Sequence, residues 1–353
     1  MIKVVTADDS PLLRNVLKDV LEQSGKIKVV GEARNGKESI ELVKLLNPDV
    51  LILDCEMPVM NGLEALRIIM KECPLPVFMF SSLTFEGASV TLKALEHGAV
   101  DFLPKPTKGI LGLEDIQVDL VNKIEQVVRR TRFKYKGLAT TIHRPRTIFS
   151  KKITSLTHLS RIKIDLIAVG SSTGGVQTSL EIIKSLPAQT KPIVWVQHMP
   201  ENFTKSFAER LDSAAKIKVK ESVNGDLLEN NTCYIARGGV QTRIKKSSRG
   251  CELSVGGGDK VSGHCPSCNA LFDSIAPFFL SNVLGVILTG MGDDGARGLL
   301  RLHEQGAFVI GQCEDSCIVY GMPKAAYKLG AVDIELDVSQ IADAIVRKGG
   351  GTG

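Results

Sequence analysis

Nothing in this chain is extreme, and what it lacks narrows the field first. No apolar run approaches the roughly 20 residues that a membrane-spanning helix needs. The N-terminus, MIKVVTADDS, turns acidic too soon to be expected as a secretory leader. Aromatic residues make up only 5%, with a single Trp, so rows of stacking side chains for single-stranded nucleic acid are not expected. Charge of one sign is not in excess either. Against 39 Asp and Glu stand 44 Lys and Arg, and a formal net charge of +5 over 353 residues does not imply nucleic acid. What remains is a globular chain, expected in the cytoplasm and long enough for two domains. Its eight Cys are scattered, and in that compartment they are expected as free thiols. Two close pairs occur, Cys265/Cys268 with His264 beside it and Cys313/Cys317, but neither has the spacing of a four-ligand zinc finger.

What is present is α/β pattern. β-Branched runs at 2–7, 27–33, 49–54, 76–81 and 100–103 alternate with amphipathic stretches such as GLEALRIIMKE. Five such units predict a parallel sheet with helices on both faces, closed by a further helix from about Leu113 to Arg132. Between Val128 and Lys163 there is no Asp or Glu, against eleven Lys or Arg, and HRPR breaks any helix; this reads as a solvated linker. A second α/β pattern follows. Strands are predicted at 164–170, 192–198, 217–219, 232–236, 282–290 and 307–311, with a hairpin from 241–246 and 251–255 around KSSRG. Helices are predicted at 175–186, 203–213, 269–279, 295–305 and 322–329.

In the first half, chemistry-bearing residues follow successive strands: Asp8 and Asp9 after the first, Asp54 at the end of the third, Ser81 at the end of the fourth and Lys105 after the fifth. A parallel sheet gathers these at its carboxyl edge. Carboxylates clustered there repel unless a cation lies between them, and oxygen ligands of this kind suit Mg²⁺. A carboxylate can also act as a nucleophile and become an aspartyl phosphate, with a hydroxyl and an ammonium to bind the new oxygens. The segments VTADDSPLLR, LDCEMPVMNG, FSSL and DFLPKP resemble the receiver domains of two-component response regulators, flavodoxin-like (βα)5 units. That resemblance implies Asp54 as phosphoacceptor, Asp8, Asp9 and Asp54 as Mg²⁺ ligands, Ser81 and Lys105 as phosphate sensors, and Phe102 as an aromatic that changes rotamer on activation.

The second half carries VGSSTGG directly after its first strand. Gly170, Ser172 and Gly174 fit G-x-S-x-G, which sets a serine on a sharp strand-to-helix turn and aims the helix N-terminus at an oxyanion. The same glycines could serve a dinucleotide loop, but G-x-G-x-x-G spacing is absent. His198 follows the next strong strand and Asp294 follows NVLGVILTG, so Ser, His and Asp can meet at one carboxyl edge. An Asp at a helix start is also an ordinary N-cap, and Asp293 could take either job.

IAVGSSTGG, QHMPENFTKSFAERL, VILTGMGDDGARGL and VYGMPKAA closely resemble the chemotaxis protein-glutamate methylesterases, the CheB family, over about residues 164–347. The resemblance implies Ser172 as nucleophile, His198 as base and Asp294 as its orienting acid, with Thr173 and Met291 in the oxyanion region. The chain departs from the family pattern at Asp293, where Asn is expected; in CPSCN, where Cys265 replaces Arg and Asn269 replaces Asp; and in IARGG, through Arg237 and Gly239. These changes are expected to fall on contacts to the substrate.

The resulting expectation is a receiver at 1–127, a basic linker at 128–163, a doubly wound methylesterase domain with a mainly parallel sheet and a β-hairpin at 164–348, and a short tail at 349–353. The implied activity is phosphorylation-regulated hydrolysis of glutamate γ-methyl esters on chemoreceptors, with deamidation of receptor glutamines. Implied partners are methylated chemoreceptors and a chemotaxis histidine kinase, with no nucleic acid and no membrane insertion. Mg²⁺ is implied in the receiver and no cofactor for catalysis. The alternative is a receiver joined to a non-catalytic, nucleotide-binding α/β module; a DNA-binding regulator would need a helix-turn-helix, and none follows the receiver.

Overall fold

The structure is a computed structural model that describes residues 1–105, 114–136, 162–279 and 282–349. The chain divides into two compact units, Met1–His143 and Arg144–Gly353.

The first unit is a five-stranded sheet in the order β2-β1-β3-β4-β5, with every pairing parallel. Its strands are β1 (Ile2–Ala7), β2 (Ile27–Ala33), β3 (Val50–Asp54), β4 (Val77–Ser81) and β5 (Asp101–Pro104). β3 and β4 are buried at every residue, which is why they read as continuous apolar runs and do not alternate. The helices are α1 (Pro11–Glu22), α2 (Gly36–Leu46), α3 (Gly62–Glu72), α4 (Phe85–Glu96) and α5 (Glu114–Lys136). The first four start on polar caps: Ser10, Asn35, Asn61 and Thr84 each accept a backbone N–H from the first turn. Asn61 and Glu64 complete a reciprocal capping box. The last helix runs past the expected Arg132 to Lys136, since its sequence holds no Gly or Pro before Gly137. The rest of the predicted linker, 137–161, lies outside the described residues, as do 350–353 of the predicted tail.

The second unit is a seven-stranded sheet in the order β14-β13-β12-β6-β7-β9-β8, again parallel throughout, plus an antiparallel hairpin. The strands are β6 (Leu166–Ser171), β7 (Ile193–Gln197), β8 (Lys218–Glu221), β9 (Thr232–Ile235), β12 (Val283–Ile287), β13 (Phe308–Gln312) and β14 (Ile334–Leu336). β10 (Gln241–Ser247) and β11 (Gly250–Gly256) form the hairpin around the predicted turn. The helices are α6 (Gly175–Ser185), α7 (Glu201–Ala214), α8 (Cys268–Phe279), α9 (Ala296–Glu304), α10 (Met322–Lys328) and α11 (Val338–Gly349). β14 and α11 are not among the sequence expectations. A three-residue strand, IEL, is too short to show a period.

β6 lies between β7 and β12, so the chain leaves it in one direction and returns on its other side. A crevice opens at the carboxyl end of such a switch point. In the first unit β1 has the same position between β2 and β3. Asp8, Asp9 and Asp54 in the first half and Ser172, His198 and Asp294 in the second therefore end or follow strands that flank the two switch points, while Ser81 and Lys105 end or follow the next strands along the same edge.

Candidate active site

Three loops meet at the carboxyl end of β6. Ser171 pairs with Gln197 across β6 and β7, so Ser172 and His198 leave neighbouring strands at the same level, with strands about 4.8 Å apart. The His198 amide donates to the Ser171 carbonyl at 3.1 Å, and the Ser172 amide to the Thr289 carbonyl at 3.0 Å. Ser172 is half-buried and opens a turn closed by Gly175 N–H to the Ser172 carbonyl at 2.8 Å. α6 is capped by Gly174, in the left-handed region at φ 80°, with no side-chain hydrogen bond to its first turn.

A buried network fixes this turn. The indole of Trp195, the chain's single tryptophan, donates to Ser171 Oγ at 2.8 Å; Ser171 donates to Gln197 Oε1 at 2.7 Å; and Gln197 Nε2 donates to the Ser172 carbonyl at 2.9 Å. None of these supports is singled out by the sequence, because each is an ordinary strand residue until its partner across the sheet is known.

His198 and Asp294, 96 residues apart, are joined by a 2.8 Å hydrogen bond from Nε2 to Oδ2. A carboxylate only accepts, so Nε2 carries the proton and Nδ1 is the basic nitrogen. The His198 side chain is 9% exposed and that of Asp294 is 0% exposed. Asp294 accepts three further donors: Ser267 Oγ at 2.8 Å, the Cys268 amide at 2.7 Å and the Asn269 amide at 3.1 Å. Its carboxylate thus sits on the N-terminus of α8, not on that of its own helix α9, whose cap is Gly295. Burial works to raise the Asp294 carboxyl, but the His198, Ser267 and Asn269 hydrogen bonds outweigh it and hold the group below the usual carboxylate range. Asp293 is exposed, and its side chain has no part in this cradle.

The structure changes the reading of the sequence departures. Ser267, Cys268 and Asn269, within CPSCN, hold Asp294 and are not surface contacts. Asn269 also accepts from the Gly298 amide at 2.7 Å. Burial, with the Asp294 charge adding, pushes the Cys268 thiol well up, and its sulfur lies 3.8 Å from His198 Nε2. Arg237 pairs with Glu201 at 2.8 Å, three residues beyond His198, and Gly239 packs near the same Glu201 at φ 77°. All eight cysteines are free. Among the described residues, neither Cys265 nor Cys268 belongs to a cluster of possible metal ligands; His264 does, beside His198 and Asp294.

Of the oxyanion candidates, Thr173 is 2% exposed and its carbonyl accepts from Thr289 Oγ1 at 2.9 Å. Met291 follows Gly290, where an added Cβ would lie 2.8 Å from Ser172 Cβ. Both residues therefore border the serine.

At the edge of the first unit, Lys105 Nζ lies 3.0 Å from Asp8 Oδ2 and 2.7 Å from Asp54 Oδ2. Asp8 and Asp54 are 0% and 2% exposed, while Asp9 is exposed. Burial pushes the Asp54 carboxyl up to about 6, with Lys105 opposing and the Asp8 charge adding. The Lys105 ammonium meets two of three carboxylates whose oxygens lie within 4.8 Å of one another, an oxygen-only donor set short of positive charge. Ser81 and Phe102 are buried nearby; Ser81 Oγ accepts from Thr91 Oγ1 at 2.5 Å and faces the Gly87 carbonyl at 3.4 Å.

A parallel sheet with buried carboxylates and a lysine at its carboxyl edge, followed by a second α/β unit with Ser, His and Asp around its switch point, describes a response regulator with an enzymatic output domain. Family models agree: residues 4–130 match the response regulator receiver domain and residues 167–345 match CheB methylesterase. The chain belongs to the CheB methylesterase family. A protein-glutamate methylesterase/protein-glutamine glutaminase of Agrobacterium fabrum is 42% identical over 98% of this chain and 96% of its own length. One of Sulfurimonas denitrificans is 40% identical over 96% of each. The crystal structure of the Thermotoga maritima CheB methylesterase catalytic domain matches with a TM-score of 0.51 at 35% identity, over 52% of this chain and 98% of that one. The nucleotide-binding alternative has no support in these matches. Among the described residues, no helix is long and apolar enough to cross a membrane.

Proposed function

We propose that this methylesterase hydrolyses glutamate γ-methyl esters on chemoreceptors, and deamidates receptor glutamines, through Ser172, His198 and Asp294. The observation that carries the reading is the buried hydrogen bond from His198 Nε2 to an Asp294 already held by three other donors. It fixes the tautomer and leaves Nδ1 as the base. Nδ1 takes the Ser172 hydroxyl proton as Oγ bonds to the ester carbonyl carbon, and the carbonyl pair moves onto oxygen. Backbone N–H groups of the Thr173 and Met291 segments receive that oxyanion. As the tetrahedral centre collapses, the bond to the methoxy oxygen breaks and the His198 proton leaves with methanol, or with ammonia from a glutamine. Water then gives a proton to His198 and a hydroxyl to the acyl carbon, releasing glutamate and restoring Ser172. Asp294 stays ionised throughout and stabilises the imidazolium.

The first unit regulates this chemistry from Asp54. The shortage of positive charge around Asp8, Asp9 and Asp54 suits Mg²⁺, which would supply charge neutralisation for the incoming phosphoryl group. Asp54 accepts that group from a chemotaxis histidine kinase, Ser81 and Lys105 bind its oxygens, and Phe102 changes rotamer. Phosphorylation shifts the population of the protein toward the active esterase. The test is methanol release from methylated receptor, with and without a small phosphodonor. Wild type should be stimulated, Asp54→Asn should keep only the basal rate, and Ser172→Ala should release none. Methanol release by Ser172→Ala would overturn the reading.

A further inference from the structure

The imidazole of His264 lies face to face on that of His198, with ring centroids 3.8 Å apart and planes within 10°. Its position is built. Val261 and His264 exchange two backbone hydrogen bonds of 3.0 Å across a turn whose central residues, Ser262 and Gly263, both have positive φ, 52° and 80°. His264 Nδ1 lies 2.8 Å from the Ser262 carbonyl, and since a carbonyl only accepts, Nδ1 carries the proton. The His264 carbonyl accepts from Gln241 Nε2 at 3.0 Å. Asn269 Nδ2 donates to Ser262 Oγ at 2.9 Å, while the Asn269 amide donates to Asp294 Oδ1 at 3.1 Å. One residue therefore ties the turn that carries His264 to the carboxylate that orients His198.

Two readings of this pair differ in geometry. A metal ion shared by both imidazoles would have to lie in both ring planes, and parallel planes 3.8 Å apart do not meet at a common in-plane point. The Asp294 oxygens are already committed to four donors. A stacked π-face needs no such convergence. It fixes the plane of the lower ring, covers one face from water, and offers its electron-rich surface to a cation.

We propose that His264 is a positioning residue for the esterase reaction: its ring holds the His198 imidazole in plane and its face stabilises the imidazolium formed when Ser172 gives up its proton. This rests on the Ser172–His198–Asp294 reading above. Neutral His198 and the imidazolium differ in charge, so the face contributes more after proton transfer than before, which lowers the barrier and leaves substrate binding alone.

The experiment uses the full chain and methylated receptor, and measures kcat and KM for methanol release with melting curves for each variant. His264→Ala should lower kcat about 5- to 30-fold, the range of a partly desolvated cation–π contact, with KM within about twofold. His264→Phe keeps a neutral ring face and should recover most of that loss. His264→Arg keeps a flat group but sets a permanent positive charge over the imidazolium, and should be no better than Ala. An unchanged kcat in His264→Ala, or His264→Arg as active as His264→Phe, would overturn the proposal. His198→Ala in parallel separates the two readings. If it stays active the triad itself fails; if it is inactive while His264→Ala is normal, only the stacking proposal fails.

Discussion

Asp54 and Asp294 occupy equivalent places, each at the carboxyl edge of a parallel sheet and each almost wholly buried, 2% and 0% exposed. Their chemistry is opposite. Asp294 has four hydrogen-bond donors and is held below the usual carboxylate range. Asp54 has Lys105 and the Glu56 amide against its own burial and a neighbouring Asp8, and is pushed up to about 6. Burial is common to both, so the donor count decides. A carboxylate with its lone pairs satisfied stays charged and orients a neighbour. One left short of positive charge favours its protonated form or a neighbouring cation.

The largest expected effect tests the satisfied side. Asp294→Asn should lower kcat by roughly 10³- to 10⁴-fold, because the amide neither stabilises the imidazolium nor selects its tautomer. Asp293→Asn, at an exposed neighbour, should stay within about twofold. Equal losses in the two variants would erase the distinction between them. Next come the glycines that let each edge close. An Ala at Gly62 would drive its Cβ onto the Asp54 carbonyl, and an Ala at Gly290 would press on Met322 Sδ and lie 2.8 Å from Ser172 Cβ. Each should cost several kcal/mol, about 3 or more, in its own unit. Gly290→Ala should abolish methanol release, while Gly62→Ala should abolish stimulation by phosphodonor.

Smaller, and opposite in sign, is Asp54→Asn. A carboxyl raised in the folded state favours its protonated form. Folding is therefore most stable below the unfolded value near 4, and loses stability as pH rises toward about 6. Removing the charge should stabilise the Mg²⁺-free protein at pH 7 by about 1–3 kcal/mol. Asp294 behaves in reverse, contributing stability above the unfolded value that is lost as pH falls through its lowered one. Thermal melts of both Asn variants from about pH 2 to 8 check this, and an Asp54→Asn destabilised at pH 7 would break the comparison. The smallest effect belongs to Val59, 83% exposed at φ 69°, where a β-branched residue is strained. Val59→Gly should stabilise by about 0.5–1.5 kcal/mol in denaturant unfolding.

The strands ending at Asp54, Ser81 and Ser171 were legible because buried parallel strands are written as unbroken β-branched runs bounded by polar loops. The same pattern brought Ser172, His198 and Asp294 into one frame, since each follows such a run. It could not choose between Asp293 and Asp294, because that choice depends on which side chain turns inward to meet α8. Nor could it show what Ser267, Cys268, Asn269 and His264 do. Their partners lie 25 to 27 residues away for the Asp294 cradle and far along the chain, at His198, for the stacked ring, and no local period encodes such an arrangement. β14 escaped for a different reason: three residues carry no periodicity.

Trp195 has a consequence for how this protein can be watched. It is the chain's one tryptophan, wholly buried, and one hydrogen bond from the residue that precedes Ser172. Indole fluorescence excited at the red edge therefore comes from a single place, the strand pair beneath Ser172, and the first unit contributes no indole signal. Emission followed through a denaturant titration reports the melting of the esterase unit alone, while far-ultraviolet dichroism sums both units. The separation between the two curves is an optical measure of how independently the two halves unfold.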